Sequence, residues 1–400
     1  MIHFEETLRL VLSNAPILPI TEKNNYEINS DILAQDIRAR EDLPLFSNSA
    51  MDGFALRSED THSVPVDLKI KGCIKAGDSP GIKVGEGEAV KIMTGAPMPA
   101  GADAVVMVED TEEKERNVQI KKSIKKGENV RIKGEEIKKG QIGLKKGIRL
   151  NPASLGFLAS MGYEKVKVFG KPKVSVLITG SELVKPGLKL MPGKKWESNS
   201  VVLSSVLAEV NIKPILLGIT RDNLLDLERQ IQEGLKNSDI LLISGGISVG
   251  DYDFVQEILL RLGVDKVFWR VAIKPGKPTF FGKKGDKLVF GLPGNPVSVL
   301  VTFLEFVRPA ILKMMGKRDV LLQEREAILE EKLQKKTDRA YFFKGMFQEK
   351  NGVAYVKSAG RQHSHILESF TGANCLIFLE KEKNIYEKGE RIKIQILPWK

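Results

Sequence analysis

The chain has 400 residues, 42% hydrophobic and 28% charged, and its 62 Lys+Arg against 51 Asp+Glu leave a formal charge of +11. A chain of that length exceeds one ordinary core and predicts two to four domains at roughly 100–200 residues each. Its apolar runs all fall short of the ~18–20 residues that cross a bilayer, which excludes a membrane-spanning helix and leaves no membrane partner to expect.

The start, Met1-Ile2-His3-Phe4-Glu5-Glu6, lacks the basic residues and apolar core of a signal peptide, so a cytoplasmic location is expected. Cys73 and Cys375, the two cysteines, are far apart and outside any metal-ligand spacing, and read as free thiols of a reducing compartment. The positive balance favours an anionic partner. Much of it sits in Lys121-Lys122, Lys125-Lys126, Lys138-Lys139 and Lys145-Lys146, interleaved with glycines and without aromatics for base stacking. These pairs read as solvated hairpin edges, and nucleic acid is not an expected partner.

In chain order, residues 1–41 read as mainly helical: Phe4, Leu8, Val11 and Leu12 share a face that ends before Pro16, and Ile32, Leu33 and Ile37 suggest a second amphipathic piece. From about 43 to 134, glycines and prolines punctuate short alternating segments such as Leu68–Ile70, Ala89–Met93, Ala104–Val108 and Val118–Ile120, which predicts a small β domain. Inside it Met93-Thr94-Gly95-Ala96-Pro97-Met98-Pro99 fixes a loop that exposes the Thr94 hydroxyl. Pro152–Met161 reads as a helix that rejoins the N-terminal ones, making the β domain an insertion.

From Lys173 strands alternate with helices. Val174–Ile178 leads to Thr179-Gly180-Ser181-Glu182, Pro214–Ile219 leads to Arg221-Asp222, and Ile240–Ile243 leads to Ser244-Gly245-Gly246. This order predicts a doubly wound parallel sheet with ligands beyond the C-terminal strand ends, where all three loops lie. The run Asp239–Asp253, D-I-L-L-I-S-G-G-I-S-V-G-D-Y-D, joins a doubly buried strand to a helix near Asp253. Its glycines and helix start suit a phosphate, and its carboxylates suit a phosphate bridged by Mg²⁺; a tight turn capped by Asp251 or Asp253 is the alternative.

Two further loops follow. Lys274-Pro275-Gly276-Lys277-Pro278 offers two ammonium groups able to clamp an oxyanion, and Pro293-Gly294-Asn295-Pro296-Val297-Ser298 opens a long helix, Val299–Met315, bent at Pro309 and stopped at Gly316. Residues 319–400 return to short strands and carry Arg339 and Arg361-Gln362-His363-Ser364-His365 as polar candidates, the histidine pair being assigned no metal.

Six motifs, Ser49-Ala50-Met51-Asp52-Gly53-Phe54-Ala55 together with Met93–Pro99, Thr179–Leu183, Ser244–Asp253, Lys274–Pro278 and Gly291–Ser298, resemble, in order, those of the molybdopterin molybdenumtransferase or MoeA family, which includes the gephyrin E domain. The resemblance runs from about residue 5 to 395. It implies a multidomain α/β fold: an N-terminal helical and extended domain (1–42 plus 135–170), an inserted β domain (43–134), a molybdopterin-binding-like domain with a doubly wound parallel sheet (171–318) and a C-terminal β domain (319–400). The implied activity takes adenylylated molybdopterin and molybdate, cleaves the phosphoanhydride with Mg²⁺ as cofactor, releases AMP and inserts molybdenum into the dithiolene. A homodimer is implied, with a molybdopterin adenylyltransferase as a further candidate partner.

By the same resemblance Asp52, Asp222, Asp253 and Lys274 are catalytic, and Asp222 and Asp253 serve the metal. Thr94, Thr179, Gly180, Glu182, Asn199, Ser244, Gly245, Gly246, Ser248, Gly250, Pro293, Gly294, Asn295 and Pro296 bind substrate. Lys274, Lys277, Pro278, Ser298, Arg339 and Ser364 hold molybdate. The chain departs from the family pattern at Glu136, Ser181 and Glu197, where Asp is usual. A non-catalytic molybdopterin- or nucleotide-binding scaffold of the same fold is the alternative function.

Overall fold

The structure, a computed structural model, describes residues 1–79, 81–221, 223–247, 254–336 and 338–399. Its contacts divide the chain into two compact units, one of Met1–Glu22, Asn29–Ala34 and Lys167–Lys400, the other of Lys23–Ile28 and Gln35–Val166.

The smaller unit is built on a six-stranded sheet in the order Ala104–Met107, Gly53–Leu56, Glu88–Ile92, Val66–Ile74, Asn117–Ile120, Thr111–Lys114. Alternation gives the sheet two apolar faces. Phe54, Leu56, Leu68, Val106 and Val118 pack on one and Ala55, Ile74, Val90 and Val105 on the other. The lysines of its edges lie in exposed ion pairs, Lys121 with Glu112 at 3.0 Å and Lys122 with Asp110 at 3.3 Å, which is the solvated-edge reading. The helix Pro152–Ser160 starts from Asn151, whose side chain accepts the Ser154 N–H.

In the larger unit the strands β1 (Val174–Thr179), β2 (Ile215–Thr220), β3 (Ile240–Ser244), β4 (Asp265–Trp269), β5 (Phe280–Lys284) and β6 (Lys287–Leu292) form one sheet in the order β2-β1-β3-β6-β5-β4. The first four are parallel, and every residue of β1 and β3 is buried, as short, largely apolar runs require. The last two strands are antiparallel, against the wholly parallel expectation. The reason is local: only Gly285-Asp286 separates β5 from β6, too short a link for a crossover.

Two helix expectations need correction. Ile32, Leu33 and Ile37 are buried in extended chain, Leu33 bridged to Val168 and Ile37 paired with Leu144, so burial of an extended segment imitates a helical face. The long helix after Pro296 bends through a π turn, Phe303–Val307, between Pro296–Thr302 and Arg308–Met314. Pro309 has no N–H and its ring clashes with the carbonyl four residues back, at Glu305, so the turn widens before the proline.

The C-terminal strands close on themselves. Ala340–Lys350 pairs with Val353–Ser358 on one side and Cys375–Leu379 on the other, and Glu324–Leu329 and Arg391–Ile396 complete the ring. One extra strand joins from outside: Ile273–Lys274 lies parallel to Ala340-Tyr341. That pairing fastens the loop after β4 to the β barrel. Among the described residues no helix is long and apolar enough to cross a membrane.

Candidate active site

Parallel pairing sets Ile178, Ser244 and Leu292 side by side, so that Thr179, Ser244 and Leu292, the last residues of β1, β3 and β6, gather at the C-terminal end of the sheet. The loops that leave it are tied there by backbone bonds, Gly180 N–H to the Thr220 carbonyl and Gly245 N–H to the Leu292 carbonyl, both 3.1 Å. Gly245 needs its hydrogen: φ is +97°, and a Cβ would stand 2.6 Å from the Thr179 carbonyl oxygen.

A polar lattice builds on this edge. Asn199 donates from Nδ2 to Ser244 Oγ (2.9 Å) and to the Gly294 carbonyl (2.8 Å), and Ser244 donates to the Pro293 carbonyl (3.2 Å). Asn199 heads a helix that the buried Glu197 carboxylate caps, accepting the Ser200 N–H and hydroxyl at 2.6 Å each. So the Glu in place of the usual Asp steadies the residue beside it.

These residues line a cavity of about 580 Å³, with Gly180, Glu182, Gly246, Asn295 and Pro296 also on its wall. Two buried atoms there, Thr179 Oγ1 and Asn199 Oδ1, have no hydrogen-bond partner among the described residues. Buried polar atoms are nearly always satisfied, so each has a hydrogen bond still to make beyond the described residues. Burial, the largest influence, raises the Glu182 carboxyl, but the hydrogen bond and charge of Lys195 at 3.0 Å, a backbone hydrogen bond and the Lys194 charge together hold it below the usual range.

A second cavity of about 360 Å³ collects Lys274, Lys277, Pro278, Ser298, Arg339 and Ser364, every residue assigned to molybdate from the motifs. Arg339 donates to the Ile273 carbonyl (3.2 Å) and Asn295 Nδ2 to Ser364 Oγ (3.1 Å). Burial, then the Arg339 charge, lowers the Lys274 ammonium from its ordinary value. Cations gathered with no carboxylate among the described residues of the wall suit a small oxyanion. Pro278, Pro293, Asn295 and His365 line both cavities, so the two share a wall.

Comparison with known proteins gives the family. A molybdopterin molybdenumtransferase of Haemophilus influenzae is 36% identical over 99% of this chain and 98% of its own length, and one of Staphylococcus aureus is 35% identical over 98% and 94%. The chain belongs to the molybdopterin molybdenumtransferase family. It is therefore a transferase of molybdenum cofactor biosynthesis. Family models agree: "MoeA N-terminal region (domain I and II)" matches residues 2–162, "Probable molybdopterin binding domain" 175–313 and "MoeA C-terminal region (domain IV)" 326–397. The MoeA protein of Pyrococcus horikoshii has a similar structure, with TM-score 0.81 and 33% identity over 99% of both chains.

The smaller unit of this transferase carries Asp52 and Thr94. Their partnership is tight, Thr94 N–H and Oγ1 both donating to Asp52 Oδ1 at 2.7 and 2.8 Å, and these bonds hold the Asp52 carboxyl below its ordinary value. Asp222, Ser248, Gly250 and Asp253 lie outside the described residues. Among the described residues no three His, Cys, Asp or Glu side chains gather as a metal site.

Lys195, Trp196 and Tyr341 also line the cavities without a role assigned from the motifs, whereas Gln362 and His365 stood among the polar candidates of the run 361–365. Their signal was that run, which they share with Ser364.

Proposed function

We propose that the protein converts adenylylated molybdopterin and molybdate to molybdenum cofactor, cleaving the phosphoanhydride and releasing AMP. The observation that carries this reading is the shared wall: a ligand in the larger cavity and an oxyanion in the smaller one would meet across Pro278, Pro293, Asn295 and His365. The names of the relatives supply molybdopterin, and the motif resemblance supplies the nucleotide and the anion.

In this reading the larger cavity holds the pterin nucleotide. Thr179 Oγ1 accepts or donates and Asn199 Oδ1 accepts, giving the ligand the two bonds the described residues leave unmade. Lys274, Lys277 and Arg339 hold molybdate by charge, and Ser298 and Ser364 orient it through their hydroxyls. Mg²⁺, when bound, would offset phosphate charge, held by Asp222 and Asp253. The described carboxylates do not form such a site themselves. A homodimer belongs to the same reading, with Asp52 and Thr94 contributed by a second copy of the chain.

The test is incubation with adenylyl-molybdopterin, Mg²⁺ and molybdate. AMP release that depends on molybdate is expected, and Asp253→Asn should lose it while keeping its melting temperature. Wild-type protein that binds the nucleotide but releases no AMP overturns the reading.

A further inference from the structure

Lys344 is 1% exposed, an unusual place for an ammonium. It lies on the strand Ala340–Lys350, opposite Leu376 of the neighbouring strand, and among the described residues no carboxylate lies within ion-pair distance of it. Its Nζ donates instead to the Arg361 carbonyl (2.7 Å) and Ser369 Oγ (2.7 Å), with longer contacts to the carbonyls of Ile366 (3.3 Å) and His363 (3.4 Å). Three of those acceptors are carbonyls of a single loop, 361–366, which carries Ser364 and His365, and the fourth, Ser369, lies in the short helix that follows it.

The same strand grips the loop twice more. Gln362 accepts the Lys344 N–H (2.8 Å) and donates back to the Lys344 carbonyl (3.1 Å), while the Tyr341 hydroxyl donates to the Gln362 carbonyl (3.0 Å). From the opposite side the loop meets the Pro293–Ser298 turn, the Val297 N–H donating to the Ser364 carbonyl (3.2 Å) and Asn295 Nδ2 to Ser364 Oγ (3.1 Å).

An ammonium has three protons and no preferred plane, so one lysine can gather carbonyls that converge from several directions. Burying it is costly unless its bonds are all made. A loop with little regular structure therefore gains a fixed shape at the expense of a desolvated charge.

We propose that Lys344 is a positioning residue for the oxyanion cavity, acting through the loop 361–366 to fix Ser364 and His365 on its wall. This rests on the reading of that cavity as the molybdate site. Lys344 itself does not line the cavity.

Two measurements test it on the full chain. Hydrogen exchange by mass spectrometry over 361–366 needs no ligand: Lys344→Met is expected to raise uptake there with little change in the sheet β1–β6, and unchanged uptake overturns the proposal. Equilibrium dialysis with molybdate then reads the consequence: affinity is expected to fall on the order of tenfold, Lys344→Arg to recover part of it, and Ser364→Ala to add little in the Lys344→Met background. Looser exchange with undiminished molybdate affinity, or fully additive losses, overturns it. If Lys344→Met fails to fold, Ser369→Ala removes one acceptor of the ammonium and carries the same two readouts. Wild-type protein that binds no molybdate refutes the cavity reading instead, while the exchange arm still decides whether Lys344 holds the loop.

Discussion

The Lys274 ammonium stands 4.7 Å from the centre of the Tyr341 ring, a cation–π contact between the loop after β4 and the barrel. Parallel pairing of Ile273–Lys274 with Ala340-Tyr341 makes the contact and brings Arg339 alongside. Replacing Lys274 by Met removes a charged donor worth ~1.5–3 kcal/mol. Molybdate affinity should fall roughly ten- to hundredfold, read by dialysis, with nucleotide affinity nearly unchanged.

The lowered Lys274 value gives a pH signature. In the proposed reading the ammonium, not the amine, holds the anion, and burial beside Arg339 lets it deprotonate below the ordinary lysine value of 10.5. Molybdate affinity should therefore weaken with rising pH before that value is reached. Lys274→Arg should retain its affinity further into alkali, and parallel pH profiles would contradict this.

Gly245 cannot accept a methyl. At φ +97°, with the Thr179 carbonyl 2.6 Å from the added carbon, Gly245→Ala must shift the edge of the sheet. The cost should be ~1–3 kcal/mol, seen as a lower melting temperature, together with weaker nucleotide binding. A variant that melts and binds like wild type would contradict the close approach.

Glu305, in the π turn, is buried with Oε1 unpartnered, and desolvation pushes its carboxyl to about 8. The folded protein therefore keeps a proton that the unfolded chain releases above about 4.5. Stability from this group is complete below that pH and is lost as pH climbs through about 8. Glu305→Gln should flatten that loss, gaining on the order of a few kcal/mol relative to wild type near pH 9. Thermal melts at pH 5 and pH 9 check it.

Asn199 joins Ser244 to the Gly294 carbonyl, and Asn199→Ala leaves that carbonyl without the bond. A loss of ~1–3 kcal/mol in stability is expected from the stranded group. Nucleotide affinity should drop as well, since Oδ1 leaves with the side chain.

Much of this site could be read from the residues because it lies on strand ends. Ile240–Ser244 is too short and apolar for a surface helix, and glycines follow it at once, so both strand and loop are announced locally. Lys274 and Lys277 sit on a Pro-Gly loop for the same reason. Their meeting with Arg339 is not local: the Arg339 side chain reaches the Ile273 carbonyl across 66 residues, through a strand pair of only two residues per side. Lys344 was invisible, because a lysine in an alternating strand reads as solvent-facing. Ile32–Ile37 misled in the opposite sense, since apolar spacing alone does not separate a helix face from buried extended chain.

The barrel's closure also orders events during synthesis. The larger cavity draws on residues 179–296 with His365 alone from beyond them, whereas the smaller one needs the loop held by Ala340–Lys350. That strand obtains its second neighbour only when Cys375–Leu379 arrives, and the ring shuts with Arg391–Ile396. The wall of the larger cavity is thus made, but for His365, before the barrel strands are, whereas the smaller cavity waits on them. A product cut short before residue 375 would carry the first without the second, and would expose an unpaired strand edge to aggregation.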